Sequence, residues 1–204
     1  MMKSNKALAR KILCGLLTAG VLGVSGSALA ASFNVGLEDI KDNEPEISVG
    51  IGEMFDNAGK VEASESITVN GGFFKNTGNI DTKVLDIKGH TSDQYAIGGT
   101  IKATEKIVYR GISGNLAARK LEAQLNTPLL HIIGSNNQTG FEISKDQVLA
   151  NVAKVIIDSN GKRTGLVFAG DELKINSEIE LQGEEDARIE VNNGKTATFA
   201  SIIN

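Results

Sequence analysis

Residues 59–71 read GKVEASESITVNG, residues 99–111 read GTIKATEKIVYRG and residues 171–183 read DELKINSEIELQG. In each block, apolar or small residues stand at offsets 0, 2, 6 and 8 from the first inward position, with glycine at offset 10. The positions are Val61, Ala63, Ile67 and Val69; Ile101, Ala103, Ile107 and Tyr109; Leu173, Ile175, Ile179 and Leu181. Between the first two blocks, GNIDTKVLDIKG (78–89) repeats the pattern one residue shorter, with Ile80, Thr82, Leu85 and Ile87. Alternation with period two marks short strands that bury one face. A unit of this size cannot close a core by itself and must stack on its neighbours.

Taken from Val61, Ile80, Ile101, Leu121, Val148 and Leu173, the units are spaced by 19, 21, 20, 27 and 25 residues. The reading is an all-β chain: a right-handed parallel β-helix, or solenoid, of about 6–7 coils. The small residue at offset 2 fits a narrow bend, and Gly and Asn at the corners supply backbone conformations that β-branched residues resist. Asn57 and Asn76 each precede a glycine by two and lie 19 residues apart. That spacing predicts a side-chain amide ladder between adjacent coils, against the alternative of two ordinary turn asparagines. In the middle of the chain a short helix competes with a coil at 115–125 (NLAARKLEAQL), which is rich in helix formers. A second competes at 145–154, where Ser144 and Gln147 resemble a capping box, although VAKVIID is strand-like.

The 204 residues are 41% hydrophobic, 23% charged and 4% aromatic, which rules out a disordered chain. Few aromatics disfavour stacking platforms for sugars or single-stranded nucleic acid, and a net charge of −4 argues against any nucleic acid partner. Residues 1–30 have the three parts of a secretory signal peptide: Lys3, Lys6, Arg10 and Lys11, an apolar run from Ile12 to Val24, and Ala28-Leu29-Ala30 before Ala31. The apolar run is too short to span a bilayer, and no transmembrane segment follows it. Cleavage there leaves 31–204 as a single β-helical domain. It removes the one cysteine, Cys14, together with four of the 21 basic residues and none of the 25 acidic ones, taking the charge from −4 to −8. An exported chain without disulfides must be held by its own core.

The phrase FFKNTGNIDTKVLDIKG (73–89), with its N-x-G-x-I followed by alternating apolar residues, resembles the degenerate repeat of filamentous-haemagglutinin-type and autotransporter passenger β-helices. The resemblance covers 56–111 and, more loosely, 171–183. The leader resembles those of autotransporter-type adhesins of double-membraned bacteria. The N-P-N-G-type motifs of two-partner secretion domains are missing, and no outer-membrane barrel fits in the chain. The resemblance implies a secreted or cell-surface, adhesin-like structural protein that meets a host or bacterial surface ligand. A fragment of a longer passenger is one form of this reading. The alternative is a carbohydrate-active β-helix, a polysaccharide lyase or hydrolase. The final TATFASIIN (196–204), with Thr198, Phe199, Ile202 and Ile203, ends in strand-like residues without a polar cap, an edge suited to end-to-end self-association.

Candidate chemistry is sparse, and no catalytic, cofactor-binding or metal-binding residue is expected. His90 lies in a polar turn with Ser92 and Asp93 but without a nucleophile elbow, and His131 lies between apolar residues. Asp158-Ser159-Asn160-Gly161 opens like a calcium loop but lacks the remaining ligands, so a tight turn is expected there. The outward position at offset 1 carries Glu62, Asp81, Lys102 and Glu122 in successive units. Stacking at about 4.8 Å would set Glu62 beside Asp81. That spacing suits either a glycosidase acid pair, which needs about 5 Å in a retaining enzyme, or a solvated charge ladder.

Overall fold

A computed structural model describes residues 32–35, 44–51, 53–90, 97–110, 120–135, 139–183 and 186–203. The leader expected at 1–30 lies outside the described residues. The chain is a parallel β-solenoid of about six turns. Its strands are β1 (Ser32–Val35), β2 (Glu44–Val49), β3 (Met54–Asn57), β4 (Lys60–Asn76), β5 (Asn79–His90), β6 (Thr100–Tyr109), β7 (Gln124–Ile133), β8 (Thr139–Ile143), β9 (Asn151–Asp158), β10 (Thr164–Phe168), β11 (Leu173–Gln182), β12 (Ala187–Val191) and β13 (Ala197–Ile203). Every pairing between them is parallel.

Each coil has three runs. The first and second are the two halves of the long strands, separated by a bend where the register shifts, as between Thr82 and Val84 or between Lys102 and Ile107. Ala63, Thr82 and Ala103, the small residues at offset 2, are buried at that bend. All four sequence blocks point inward as read, with Val61, Ile67, Leu85 and Ile179 fully buried. Val61 pairs with Ile80 and Ile80 with Ile101, the spacings of 19 and 21 residues read from the repeat.

Two unit starts require correction. Ile101 pairs with Leu125, so Leu121 does not open the next unit; it bridges to Ile97 instead. Val148 sits in a single 3-10 turn, Asp146–Val148, at a corner before β9. The cause is a third run that short alternating blocks do not reveal. It comprises β1, β3, the end of β4 (73–76), Ile97, 120–121, β8, β10 and β12. Its inward column is Asn57, Asn76, Ile97 and Leu121, continued by Ile143, Phe168 and Val191. Leu121 is a core residue of this column rather than of the first run.

No helix forms at 120–125 or at 145–154; residues 115–119 lie outside the described part. Gln124 already begins β7, and the β-branched Val152, Val155, Ile156 and Ile157 carry the chain into β9. The expected capping box does not form: Lys145 is the N-cap of the 3-10 turn, in extended conformation, with no side-chain cap bond.

The corner between third and first runs explains why this sequence stacks tightly. Gly59, Gly78 and Gly99 lie over one another there. A Cβ on Gly78 would come within 2.1 Å of the Gly59 carbonyl oxygen, and one on Gly99 within 1.9 Å of that of Gly78. The amide ladder is present beside it. Asn57 Nδ2 donates to Asn76 Oδ1 at 2.7 Å, and Asn76 Nδ2 donates to the Gly78 and Gly98 carbonyls at 3.1 and 2.6 Å. Both side chains are fully buried, so these bonds replace water entirely. The ladder stops where Ile97 takes the third rung.

Six of the described aromatics pack in or against the core. Phe55 stacks on Phe74 with ring centroids 5.2 Å apart, Tyr109 packs on Phe141 at 4.4 Å and Phe168 on Phe199 at 5.2 Å.

Candidate functional site

The strands set the outward side chains of successive coils in rows. On the first run, Glu62 lies beside Asp81 and Asp81 beside Lys102, as the sequence suggested. Glu122 does not continue the row, because Lys102 pairs with Asn126. Glu62 is ion-paired to Lys60, and Asp81 accepts from Lys102 Nζ at 2.9 Å. Each carboxylate has its own ammonium, which suits a charge ladder better than an acid–base pair.

Asp158-Ser159-Asn160-Gly161 forms the tight turn. Asn160 and Gly161 take φ of 45° and 69°, Asn160 N donates to Asp158 Oδ1 at 2.9 Å and Lys162 N to the Ser159 carbonyl at 2.7 Å. Two left-handed residues in succession are what an Asn-Gly pair supplies at least cost. His90 closes β5; Ser92 and Asp93 lie outside the described residues. No group of three or more His, Cys, Asp or Glu side chains placed to hold a metal occurs among the described residues.

The second run is different. Its outward rows place Val108, His131, Ile156 and Glu180 in one line, with Lys106, Leu129, Lys154 and Glu178 in the next. Arg110 donates to both Asp86 oxygens, at 2.5 and 2.6 Å, and Lys154 contacts Glu178 at 2.8 Å and Glu180 at 2.6 Å. These pairs cross from one coil to the next and tie the stack from outside. Because they are partly exposed, each contributes little: Arg110→Gln is expected to lower stability by about 0.5–1 kcal/mol, measured as a small drop in urea midpoint.

His131 stands at the centre of this surface, with 24% of its side chain exposed and Nε2 3.9 Å from Asp158 Oδ2. Nε2 is buried without a hydrogen bond. Burial pushes its pKa below the ordinary imidazole value of 6.5; Asp158 opposes the shift, and Arg110 and Lys106 add to it. A lowered imidazole pKa in the fold means that the unfolded chain binds the proton first. Stability is therefore complete above pH 6.5 and declines as the pH falls through that value towards the folded pKa. His131→Gln should lose part of the stability difference between pH 8 and pH 5.5 seen in urea titrations; an unchanged difference would show that His131 does not contribute to it.

His131 stands between apolar residues in the sequence, which does not by itself disclose this arrangement. Runs such as KIVYR (106–110) and PLLHII (128–133) carry consecutive apolar residues where strict alternation would put a polar one outward, and that was the available signal. Among known proteins, no family model, no curated protein and no solved structure matches this chain.

Proposed function

We propose that the protein is an exported structural solenoid, an adhesin-like passenger or passenger fragment without catalytic activity. On this reading it is secreted or held at the surface of a double-membraned bacterium and meets a host or bacterial surface ligand. The observation that carries the reading is the asymmetry of the corners. Connections from third to first run are two residues long in four successive coils, 58–59, 77–78, 98–99 and 122–123, and lengthen to 144–150, 169–172 and 192–196 after β8, β10 and β12. Connections from second to third run vary, from Asn70 to Phe73, from Asp158 to Thr164 and from Tyr109 to Lys120. A rod with one edge held tight over its first coils and loops of varying length elsewhere suits display, since recognition residues concentrate on loops carried by a rigid scaffold.

The pairing of Glu62 and Asp81 with their own lysines weighs against the carbohydrate-active alternative. End-to-end self-association belongs to the same proposal. β12 and β13 lie at the ends of their sheets, and Val191, Ile202 and Ile203 are 41%, 46% and 45% exposed.

Expression of the full chain in a double-membraned bacterium, followed by fractionation and N-terminal sequencing, tests the export step. Cleavage after Ala30 with the product outside the cytoplasm is expected; an uncleaved cytoplasmic chain would refute it. Binding of the purified product to cells, and its failure to depolymerise polysaccharide, separate adhesin from enzyme.

A further inference from the structure

The sequence carries three Asn-Gly pairs, Asn70-Gly71, Asn160-Gly161 and Asn193-Gly194. In such a pair the glycine nitrogen can attack the side-chain amide before it, because no Cβ on the glycine stands in the way. The three pairs sit in different surroundings. Asn70 belongs to β4 and is the register partner of Lys88 on β5; Gly71 beside it is packed so closely that a Cβ there would lie 2.7 Å from Ile51 Cγ1. Asn160 is pinned in its turn. Its Nδ2 donates to the Gly134 carbonyl at 3.2 Å and its backbone N–H to Asp158 Oδ1 at 2.9 Å, while Lys162 N closes the turn on the Ser159 carbonyl at 2.7 Å.

Asn193-Gly194 lacks these restraints. It lies in the corner between β12 and β13, where both residues are exposed and the turn is closed by the bond from Lys195 N to the Asn192 carbonyl at 2.9 Å. Within that turn only Gly194 takes a positive φ, 74°, as the third residue of a type II turn does. Among the described residues no hydrogen bond holds the Asn193 side chain, and a Cβ on Gly194 would meet nothing within 4 Å.

We propose that Asn193-Gly194 is a self-modifying corner, at which the folded chain deamidates while its other two Asn-Gly pairs are protected. The Gly194 nitrogen gives up its proton and bonds to Asn193 Cγ; the Cγ–Nδ2 bond breaks and ammonia leaves with that proton. Water then opens the five-membered imide. Attack at the side-chain carbonyl gives aspartate, and attack at the main-chain carbonyl gives isoaspartate, whose backbone is one methylene longer. Nothing is oxidised or reduced, and either product carries one more negative charge than the asparagine. At Asn160 the same ring closure must first break the turn's hydrogen bonds, which slows it by about tenfold or more.

The corner matters because it holds the last strand in place. Lys195 Nζ donates to Asp171 Oδ1 at 2.8 Å, and Leu173 N donates to the Thr196 carbonyl at 2.9 Å, so both contacts fix the entry of β13 beside β11. A new carboxylate two residues before Lys195 competes with Asp171 for its ammonium, and an added methylene shifts Lys195 and Thr196 out of register. In a solenoid such a change is felt locally, so the modified chain should open at β13 while the earlier coils stay closed.

Peptide mapping by mass spectrometry of the purified full chain, held at mildly alkaline pH and sampled over time, tests the proposal. It is run once on the folded chain and once in guanidinium chloride. In denaturant the three pairs should deamidate at comparable rates. In the folded chain Asn193 should keep close to its denatured rate, with Asn70 and Asn160 slowed by about tenfold or more. Asn193→Gln, which would have to close a six-membered ring, should abolish the acidic species that accumulates on ion exchange and the faster hydrogen exchange of β13 that accompanies it. Asn193 as slow as Asn160 in the folded chain, or either Asn70 or Asn160 as fast as Asn193, would overturn the proposal.

Discussion

Gly99→Ala is expected to destabilise the chain by roughly 3 kcal/mol or more, whereas Gly161→Ala should cost only about 1 kcal/mol. The two glycines have the same φ, 69°, so an alanine pays the same left-handed penalty at both. They differ in what the new methyl meets. At Gly161 nothing lies within 4 Å; at Gly99 the carbonyl oxygen of Gly78 would lie at 1.9 Å, with its carbon and that of Thr77 at 2.9 Å. Those atoms are backbone of the preceding coil and can recede only if the coils separate. Thermal or urea unfolding of the two variants measures the difference. In a solenoid, where each coil contacts only its neighbours, the damage should also be local, with a new early transition or protease-sensitive point near the Gly99 corner. Equal losses at both sites would mean that the corners are not stacked as described.

The second large effect is expected at Asn76. Its carboxamide accepts from Asn57 and donates to two carbonyls, all without water. Asn76→Leu strands the Gly98 carbonyl and one Asn57 proton, at about 2–4 kcal/mol. The double variant Asn57→Leu with Asn76→Leu should be less unstable than the two singles added together, because their mutual bond is then removed from both ends, although the Gly98 carbonyl and the Gly59 N–H and Asn79 carbonyl that Asn57 also holds still lose their partners. The same inward column supports this expectation, since it already runs as Ile97, Leu121, Ile143 and Phe168 in later coils. If the double variant is as unstable as the sum of the singles, the asparagine ladder is required for something other than mutual satisfaction, such as the close approach of the glycine corner beside it.

The two behaviours of the third run explain what could be read from the sequence and what could not. In the first coils it is announced by Asn57 and Asn76, since asparagine before a turn glycine is a strong local signal and its recurrence after 19 residues reports stacking. Once Ile97 and Leu121 replace asparagine, the run shrinks to isolated bridges with no alternation to detect. An apolar residue 20 after Ile101 then looks like the next coil start. Leu125, four residues later, is the true partner, and both leucines are buried, so composition could not choose between them. Further on, the run reappears as TGFEI (139–143) and TGLVF (164–168), a repeat at 25 residues that pairs in register and would have disclosed the third face.

The chemistry was legible mainly by elimination. Glu62 and Asp81 are adjacent as read; Glu62 is neutralised by Lys60 two residues away on its own strand, and Asp81 by Lys102 of the next coil. The outward aliphatics of the second run were masked by the same alternation that revealed the strands. In KIVYR both parities are apolar, and periodicity says which set faces in without saying what covers the other.

Engineered disulfides test the three-run coil most directly, because Cys14 is the only native cysteine and Cys14→Ser leaves a silent background. Neighbouring residues on parallel strands lie about 4.8 Å apart, within the span of a disulfide, which links Cα atoms about 4.4–6.8 Å apart. Lys102→Cys with Asn126→Cys joins outward residues that are register partners on β6 and β7. It should oxidise readily to an intramolecular bridge, while Lys102→Cys with Glu122→Cys should remain reduced. Crosslinking of the 102 and 122 pair in preference to the 102 and 126 pair would contradict the three-run solenoid.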